Sequence, residues 1–229
     1  MVVIEAANLT SDTVRAFFTT RNFAGDNDTL AGALEKRYHI PPGRIYLPVQ
    51  RHSSDVHVLD SDVRPVVADA VVTDRKGVCI GVVVADCVPV LLHDSRKEVI
   101  AAVHAGWRGT ARAIVRKTIE SMQEHFGCSA GDISMAIGPS IRQCSYEVGE
   151  DVVVQVQRAT GTGNYCSRDG DRYYLDLASA NKIQAEGAGL CREMIWQSDE
   201  CTYCNPERFY SYRFAGGSTG RQGAFIGMW

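Results

Sequence analysis

The sequence predicts one mixed α/β domain that spans residues 1–229. Its 229 residues are 45% hydrophobic and 22% charged, which provides enough apolar material for one sizeable core. Short apolar runs of strand character alternate with segments of helical periodicity. The chain has no internal repeat, no low-complexity segment and no linker-like stretch. We therefore expect strands and helices to share a single core.

The first half of the chain is predicted to be mostly β-structure. A polar loop is expected over 22–28, and a short helix over 29–38 is stopped by Pro41-Pro42-Gly43. Apolar runs predict strands at 14–21, 45–49, 66–73, 78–84, 88–93 and 98–103. The polar turns 74–77 and 94–97 are short, so we expect largely hairpin connections in this half.

The second half is predicted to mix helices with strands. A helix over 110–126 carries apolar residues at helical spacing and is stopped by Gly127. Further helices are expected over 150–158 and 177–187, the second with Asp176 as its N-cap. Strands are predicted at 133–137, 193–197, 209–214 and 223–229.

Charge and composition exclude several classes of protein. The net charge is −3 and the Lys and Arg residues are scattered, so we expect no nucleic-acid surface. No apolar run is long enough to span a bilayer, and the N-terminus lacks the pattern of a signal peptide. We therefore expect a cytoplasmic protein whose eight cysteines are mostly thiols.

Three side chains at the ends of predicted strands suggest a functional site: His52, Cys87 and His104. One thiolate and two imidazoles can hold zinc with an open fourth position, which is typical of catalytic zinc. Such an ion lowers the pKa of bound water to about 7 and polarises a substrate oxygen. Without metal, Cys87 can act as a nucleophile with His104 as its base. Each residue taken alone is also compatible with ordinary packing.

Three further features leave structural and functional interpretations open. Arg108–Thr110, at the start of the predicted long helix, can cradle an anion or can be a helix cap with a surface arginine. Asp86 can orient a ligand or move a proton, or it can be a turn residue. Cys201 and Cys204 have CxxC spacing, but no second CxxC exists to complete a structural zinc site, and a redox motif lacks its βαβ context.

An ordered set of motifs covers nearly the whole chain. They are Thr19–Arg21, Gln50–His52, Asp69–Thr73, Ala85–Leu92, His104–Thr110, Ile137–Ile141, Cys144–Gly149, Tyr210–Arg213 and Thr219–Gln222. In this order they resemble the YfiH/laccase-domain family, once labelled polyphenol oxidases and now described as purine nucleoside phosphorylases. The resemblance implies an α/β/β/α sandwich, a mixed β-sandwich flanked by helices.

The resemblance also implies a site and a reaction. The metal ligands of the family map onto His52, Cys87 and His104, which would hold zinc, or copper in vitro. The implied activity is phosphorolysis of adenosine, inosine, guanosine and methylthioadenosine, with some adenosine deamination. The partners would be a nucleoside and phosphate, and we expect a monomer or homodimer. The candidates for phosphate binding, substrate binding or proton transfer are Arg21, Arg51, Arg108, Glu147 and Asp86.

The chain departs from the family pattern at three places. The segment after Arg21 is shortened to 22–26, Arg51 replaces a small apolar residue, and Arg142 lies where a small residue is common. The shortened segment leaves the substrate preference open. Because Arg51 adjoins a ligand, it can supply phosphate-binding charge that the segment lacks.

Three other functions compete with a nucleoside enzyme. A multicopper phenol oxidase needs a blue-copper site and further histidine-rich coppers, for which six histidines are too few. A cysteine amidase or hydrolase, acting on peptidoglycan precursors, would use Cys87 and His104. A non-catalytic binding domain would make the clustered thiol and imidazoles accidental.

Overall fold

The computed structural model describes residues 2–25 and 28–229. The strands are β1 (Val3–Glu5), β2 (Val14–Thr19), β3 (Ile45–Tyr46), β4 (Val56–Val58), β5 (Ala70–Thr73), β6 (Val78–Val84), β7 (Val88–Asp94), β8 (Val99–Ala105), β9 (Ile133–Ile137), β10 (Glu147–Val148), β11 (Cys166–Asp169), β12 (Arg172–Leu175), β13 (Ile195–Gln197) and β14 (Gln222–Met228). The helices are α1 (Leu30–Tyr38), α2 (Trp107–Thr110), α3 (Ile114–Phe126), α4 (Glu150–Thr160) and α5 (Leu177–Gly187).

Two mixed sheets form the framework. The first has the strand order β1-β2-β14-β6-β3, and the second has the order β13-β9-β7-β8-β5-β4. Antiparallel pairs dominate both sheets, while β3 runs parallel to β6, β4 to β5 and β13 to β9. A small third sheet, β10-β12-β11, accompanies them.

Alternation of side chains along the strands produces four layers. Phe18 and Ile226 of the first sheet belong to the same buried cluster as Leu91 and Ala102 of the second, so the two sheets pack face to face. The opposite face of the second sheet packs against α3, α4 and α5. Phe17, on the opposite face of the first sheet, packs with residues of α1. The expected α/β/β/α sandwich is confirmed.

Several predicted elements are corrected by the structure. Of the expected hairpins, β7 and β8 do pair, whereas β5 and β7 lie in one sheet and the intervening β6 lies in the other. A short turn can therefore also connect strands of facing sheets. The helix expected over 110–126 is divided into α2 and α3, because Ala113 adopts a left-handed φ of 56° that interrupts a right-handed helix.

The predicted strand at 209–214 is wrong. The segment forms turns, and the hydroxyl of Ser211 accepts the backbone N–H of Phe214 at 3.1 Å. Such local bonds offer the backbone an alternative to a sheet ladder. The segment 22–26 reaches beyond the described residues at Asp26. Within the described ranges, no helix has both the length and the apolar character needed to cross a membrane.

Candidate metal and active site

Two imidazoles and a thiol, those of His52, Cys87 and His104, converge at one end of the sandwich. One ligand atom from each residue lies within 4.8 Å of the others. The rings of His52 and His104 meet edge to face, with centroids 4.8 Å apart and planes at 74°. Residues that are far apart in the sequence are thus brought to one point, as the strand-end pattern predicts.

Strand register explains why the thiol and the second imidazole meet. His104 follows Ile100 and Ala102 by steps of two along β8, so it faces the space between the sheets. Its register partner on β7 is Pro89, and Cys87 lies in the bend that directly precedes β7, at the same end of the sheet. Both side chains therefore lie at the open end of the inter-sheet layer.

The buried carboxylate of Asp69 organises the other side of the site. Its Oδ2 accepts the backbone N–H groups of Arg51 at 3.1 Å and Ser53 at 2.7 Å. Its Oδ1 accepts the N–H of His52 at 3.0 Å and lies 2.7 Å from Nδ1 of His104. Three successive N–H groups around one anion form a nest, in which the left-handed φ of 57° at His52 is accommodated.

The same carboxylate fixes the orientation of the His104 ring. An ionised Asp69 can only accept, so Nδ1 carries the proton and Nε2 is left for another partner. Burial alone would raise the pKa of Asp69, but hydrogen bonds from His104 and from the N–H groups of Ser53 and Arg51 lower it well below its usual range. Asp69 is therefore an anion at neutral pH.

Charge pairing also favours a thiolate at Cys87. Burial raises the pKa of this thiol, but the hydrogen bonds and charges of His104 and His52 outweigh burial and lower the pKa to about 6. Burial lowers the pKa of His104, and its bonds to Asp69 and Cys87 raise the pKa to about 9. In the metal-free chain, a thiolate thus faces an imidazolium that is also bonded to a carboxylate.

The donor set fits a metal ion. One thiolate and two imidazoles satisfy the preference of zinc for sulfur and nitrogen, and three protein ligands leave a position open. Gly106 keeps the space beside them clear, because a Cβ there would lie 3.0 Å from Sγ of Cys87 and 3.2 Å from Cδ2 of His52. The carboxylate on Nδ1 of His104 is the arrangement that orients metal-bound histidines in proteins.

A cleft of about 660 Å³ opens over this cluster, a size typical of small-molecule sites. Its lining residues are Pro48, Gln50, His52, Val83, Val84, Ala85, Asp86, Cys87, His104, Arg108, Tyr146, Tyr212, Arg213 and Arg221. Since Val84 belongs to β6 and His104 to β8, both large sheets contribute to the lining.

Positive charge surrounds the cleft. Arg108, Arg213 and Arg221 are among its lining residues. Arg213 is held by its Nη1, which donates to the carbonyl of Glu147 at 3.0 Å, and its guanidinium carbon lies 5.2 Å from the ring centroid of Tyr146. Burial and the charge of Cys87 raise the pKa of Tyr146 to about 12, so its phenol is protonated at neutral pH.

Asp86 lies beside the ligands and is occupied by structural bonds. Its Oδ1 accepts the hydroxyl of Thr202 at 2.6 Å, and its Oδ2 accepts the backbone N–H of Arg213 at 2.7 Å. Its φ of 84° is rare for a residue with a side chain, and these two bonds hold it. Asp86 thereby connects the bend after β6 to the loop of Thr202 and to the loop of Arg213, which lines the cleft.

Three of the residues expected to bind substrate do not line the cleft. Arg21 donates through Nη1 to the carbonyl of Pro206 at 2.9 Å. Arg51 is exposed, and its backbone N–H binds Asp69. Glu147 is exposed and contributes its backbone carbonyl to Arg213.

The expected anion cradle at Arg108–Thr110 is only partly present. Arg108 lines the cleft, but α2 has four residues, and Thr110 is buried with its hydroxyl accepting from Nδ2 of Asn181 at 2.9 Å. Arg142, the unusual residue at its position, forms an ion pair of 2.8 Å with Asp176, the N-cap of α5.

Tyr146, Arg213 and Arg221 lie within the sequence motifs, but the sequence alone gives them no role. Their place in the lining depends on turns that carry the chain back over the strand ends, which strand periodicity does not reveal. The signal that could identify such lining residues is the presence of polar and aromatic side chains in non-repetitive segments.

Comparisons with known proteins point to one family. A family model described as multi-copper polyphenol oxidoreductase laccase matches residues 28–229. A purine nucleoside phosphorylase of Clostridium acetobutylicum is 40% identical over 182 residues, which are 77% of this chain and 74% of that protein. A purine nucleoside phosphorylase of Deinococcus radiodurans is 44% identical over 160 residues, 70% of this chain and 61% of that protein.

Two further matches concern activity and fold. An adenosine deaminase from an unknown prokaryotic organism is 34% identical over 198 residues, 81% of this chain and 74% of that protein. The crystal structure of YlmD from Geobacillus stearothermophilus is similar with a TM-score of 0.88 and 28% identity, covering 97% of this chain and 94% of that one.

Proposed function

This chain belongs to the multi-copper polyphenol oxidoreductase laccase family, the laccase-like YfiH family, and from that membership and the contents of the cleft we propose that it is a zinc-dependent purine nucleoside phosphorylase. The observation that carries the proposal is the combination, in one cleft, of a Cys/His/His ligand set with three arginines. Relatives named purine nucleoside phosphorylases support the reaction class.

Phosphorolysis requires an anion site beside the sugar. A phosphate oxygen forms a bond to C1′ of the ribose while the bond from C1′ to the base nitrogen breaks. The bonding electrons leave with the base, which takes up a proton, and the products are the free purine and ribose 1-phosphate. Arg108, Arg213 and Arg221 would bind the phosphate. A guanidinium group carries the opposite charge and can donate two parallel hydrogen bonds to two phosphate oxygens.

The remaining lining suits a nucleoside. The aromatic side chains of Tyr146 and Tyr212 offer stacking surfaces for a purine. The protonated phenol of Tyr146 can donate a hydrogen bond to the departing base. His52, Cys87 and His104 would hold zinc, whose chemistry when bound is to polarise a substrate oxygen and to lower the pKa of water.

The substrates proposed are adenosine, inosine, guanosine and methylthioadenosine, with adenosine deamination as a side activity. The deaminase relative supports the second reaction. Among the described residues of the lining, Asp86 is the one carboxylate, and both of its oxygens are occupied. Because zinc deaminases use a carboxylate as general acid and base, we expect deamination to be slower than phosphorolysis.

A nucleoside panel tests the proposal directly. Protein of measured metal content is incubated with each nucleoside, with and without phosphate, and the products are separated by chromatography. Base released only in the presence of phosphate identifies phosphorolysis, and inosine formed from adenosine identifies deamination. Absence of both products from metal-replete protein would overturn the proposal.

Two alternatives have distinct signatures in the same protein. A copper oxidase would show blue absorbance with stoichiometric copper, but the two potential ligand groups among the described residues contain two histidines between them. A cysteine hydrolase would form a covalent adduct at Cys87 in metal-free protein.

We also propose that the enzyme acts in the cytoplasm as a monomer or homodimer. The eight cysteines are free thiols in the structure, which is typical of a reducing compartment. Its partners would then be small molecules, without nucleic acid or membrane.

A further inference from the structure

Three more cysteines meet in a second cluster that shares no residue with the cleft. Sγ atoms of Cys144, Cys201 and Cys204 lie within 4.8 Å of one another. Those of Cys144 and Cys204 are 3.6 Å apart, although the residues are separated by 60 positions in the sequence. We call this set the trithiol cluster.

Sheet topology brings the trithiol cluster together. The parallel strands β9 and β13 end at the same edge of the second sheet, and the pairing continues beyond them as a bridge between Ser140 and Cys201. Cys144 follows the first strand and the CxxC pair follows the second. The third ligand that the CxxC spacing lacks in the sequence is thus supplied by a distant segment.

A backbone N–H and a hydroxyl contact the sulfurs of the trithiol cluster. The backbone N–H of Arg142 donates to Sγ of the buried Cys201 at 3.4 Å. The hydroxyl of Ser145 lies 3.2 Å from Sγ of Cys204 and 3.5 Å from Sγ of Cys144. The hydroxyl oxygen of Ser145 thus lies beside two of the three sulfurs, where it can act as a further ligand to a bound cation.

We propose that the trithiol cluster is a second metal site, which binds a thiophilic cation, Zn²⁺ or Cu⁺. Both ions prefer thiolate sulfur, and three thiolates satisfy a trigonal Cu⁺ or leave one position on Zn²⁺ for Ser145 or water. Each thiol releases its proton to solvent as the ion binds. A disulfide would use two of the sulfurs and leave the third without a role.

The proposed ion would stabilise the walls of the cleft. Cys144 lies two residues before Tyr146, and Thr202, whose hydroxyl binds Asp86, lies between Cys201 and Cys204. An ion on the trithiol cluster would therefore cross-link two segments. One carries Tyr146, which lines the cleft, and the other carries Thr202, which binds Asp86 next to Cys87.

Metal titration of the reduced, metal-stripped full chain tests the site. Zn²⁺ and Cu⁺ are titrated separately against a chromophoric chelator, so that the two ions are distinguished. With the ion that fits the trithiol cluster, we expect about two bound ions per chain, one at each site. Cys204→Ser should lower the affinity of one of them by at least about tenfold. Cys191→Ser, at an exposed cysteine outside both sites, should retain both.

A second measurement on the unmodified chain does not depend on the folding of a variant. Alkylation is mapped by mass spectrometry with and without each ion, and we expect protection of the exposed Cys144 and Cys204 but not of Cys191. Protection by only one of the two ions identifies the metal. If neither ion protects them, or if Cys204→Ser leaves both binding events unchanged, the site does not exist as proposed. A disulfide between Cys144 and Cys204 that forms under mild oxidation, together with no metal protection, would identify a redox pair instead.

Discussion

Replacing Asp69 by asparagine is the most informative perturbation of the site's support. The buried carboxylate accepts two bonds on each oxygen, from Arg51 and Ser53 on Oδ2 and from His52 and His104 on Oδ1. Asparagine presents one oxygen and one NH₂ group, so in either orientation two donors face a donor.

The magnitude follows from those two unmatched donors. Each buried donor without an acceptor costs about 1–3 kcal/mol, so we expect Asp69→Asn to destabilise the metal-free chain by about 2–6 kcal/mol. For a chain of this length that corresponds to a Tm lower by roughly 5–20 °C. Loss of the anion on Nδ1 of His104 should also weaken zinc binding by about 10–100-fold.

Thermal unfolding followed by circular dichroism and zinc competition titration measure the two effects. Asp94→Asn is the matched control, because Asp94 is equally buried. The backbone N–H groups of Arg96 and Lys97 both donate to its Oδ1 and no donor among the described residues bonds to its Oδ2, so asparagine can retain both bonds. An Asp69→Asn protein with the stability and zinc affinity of the Asp94→Asn protein would refute the supporting role of Asp69.

Three further predictions concern the cleft. Gly106→Ala should weaken zinc binding by at least about tenfold, because its Cβ would lie only 3.0 Å from Sγ of Cys87. Gly43→Ala is the control, since no atom lies within 4 Å of a Cβ there, and it should leave the zinc affinity unchanged. Equal zinc affinities of the two variants would contradict crowding at Gly106. The rate of alkylation of Cys87 in metal-free protein should be half-maximal near pH 6, because the lowered pKa produces thiolate at lower pH. After denaturation the midpoint should move to about pH 8.5. The same midpoint in folded and denatured protein would show that Cys87 is an ordinary thiol. Arg213→Gln retains the backbone bond to Asp86 and should raise the KM for phosphate by about tenfold or more. Arg21→Gln, at a side chain that binds the carbonyl of Pro206, should leave this KM unchanged. A larger KM for Arg21→Gln than for Arg213→Gln would place the phosphate elsewhere.

Local patterns in the sequence predict much of the framework because burial in this fold follows strand periodicity. Residues 133–137 and 78–84 form strands over the predicted range, and 177–187 forms a helix that Asp176 caps as expected. The ends of such strands are also visible in the sequence, so the convergence of His52, Cys87 and His104 could be anticipated.

Features that depend on contacts between distant segments could not be predicted. Strand alternation does not reveal that β6 crosses to the facing sheet, because β5, β6 and β7 are all largely buried. The nest around Asp69 requires a left-handed residue at His52, which glycine-based rules do not anticipate. Arg213 lines the cleft from a turn within 209–214, a segment whose aromatic residues predict a strand.

The proposed phosphorolysis depends on zinc held by His52, Cys87 and His104. The most direct measurement is phosphate-dependent release of base from inosine by metal-stripped protein before and after addition of Zn²⁺, beside Cys87→Ala treated identically. We predict that about one Zn²⁺ per chain at this site restores activity in the unmodified protein and that the variant neither binds this ion nor releases base. Full phosphorolysis by the metal-stripped protein, or by Cys87→Ala, would show that zinc at these three residues is not required.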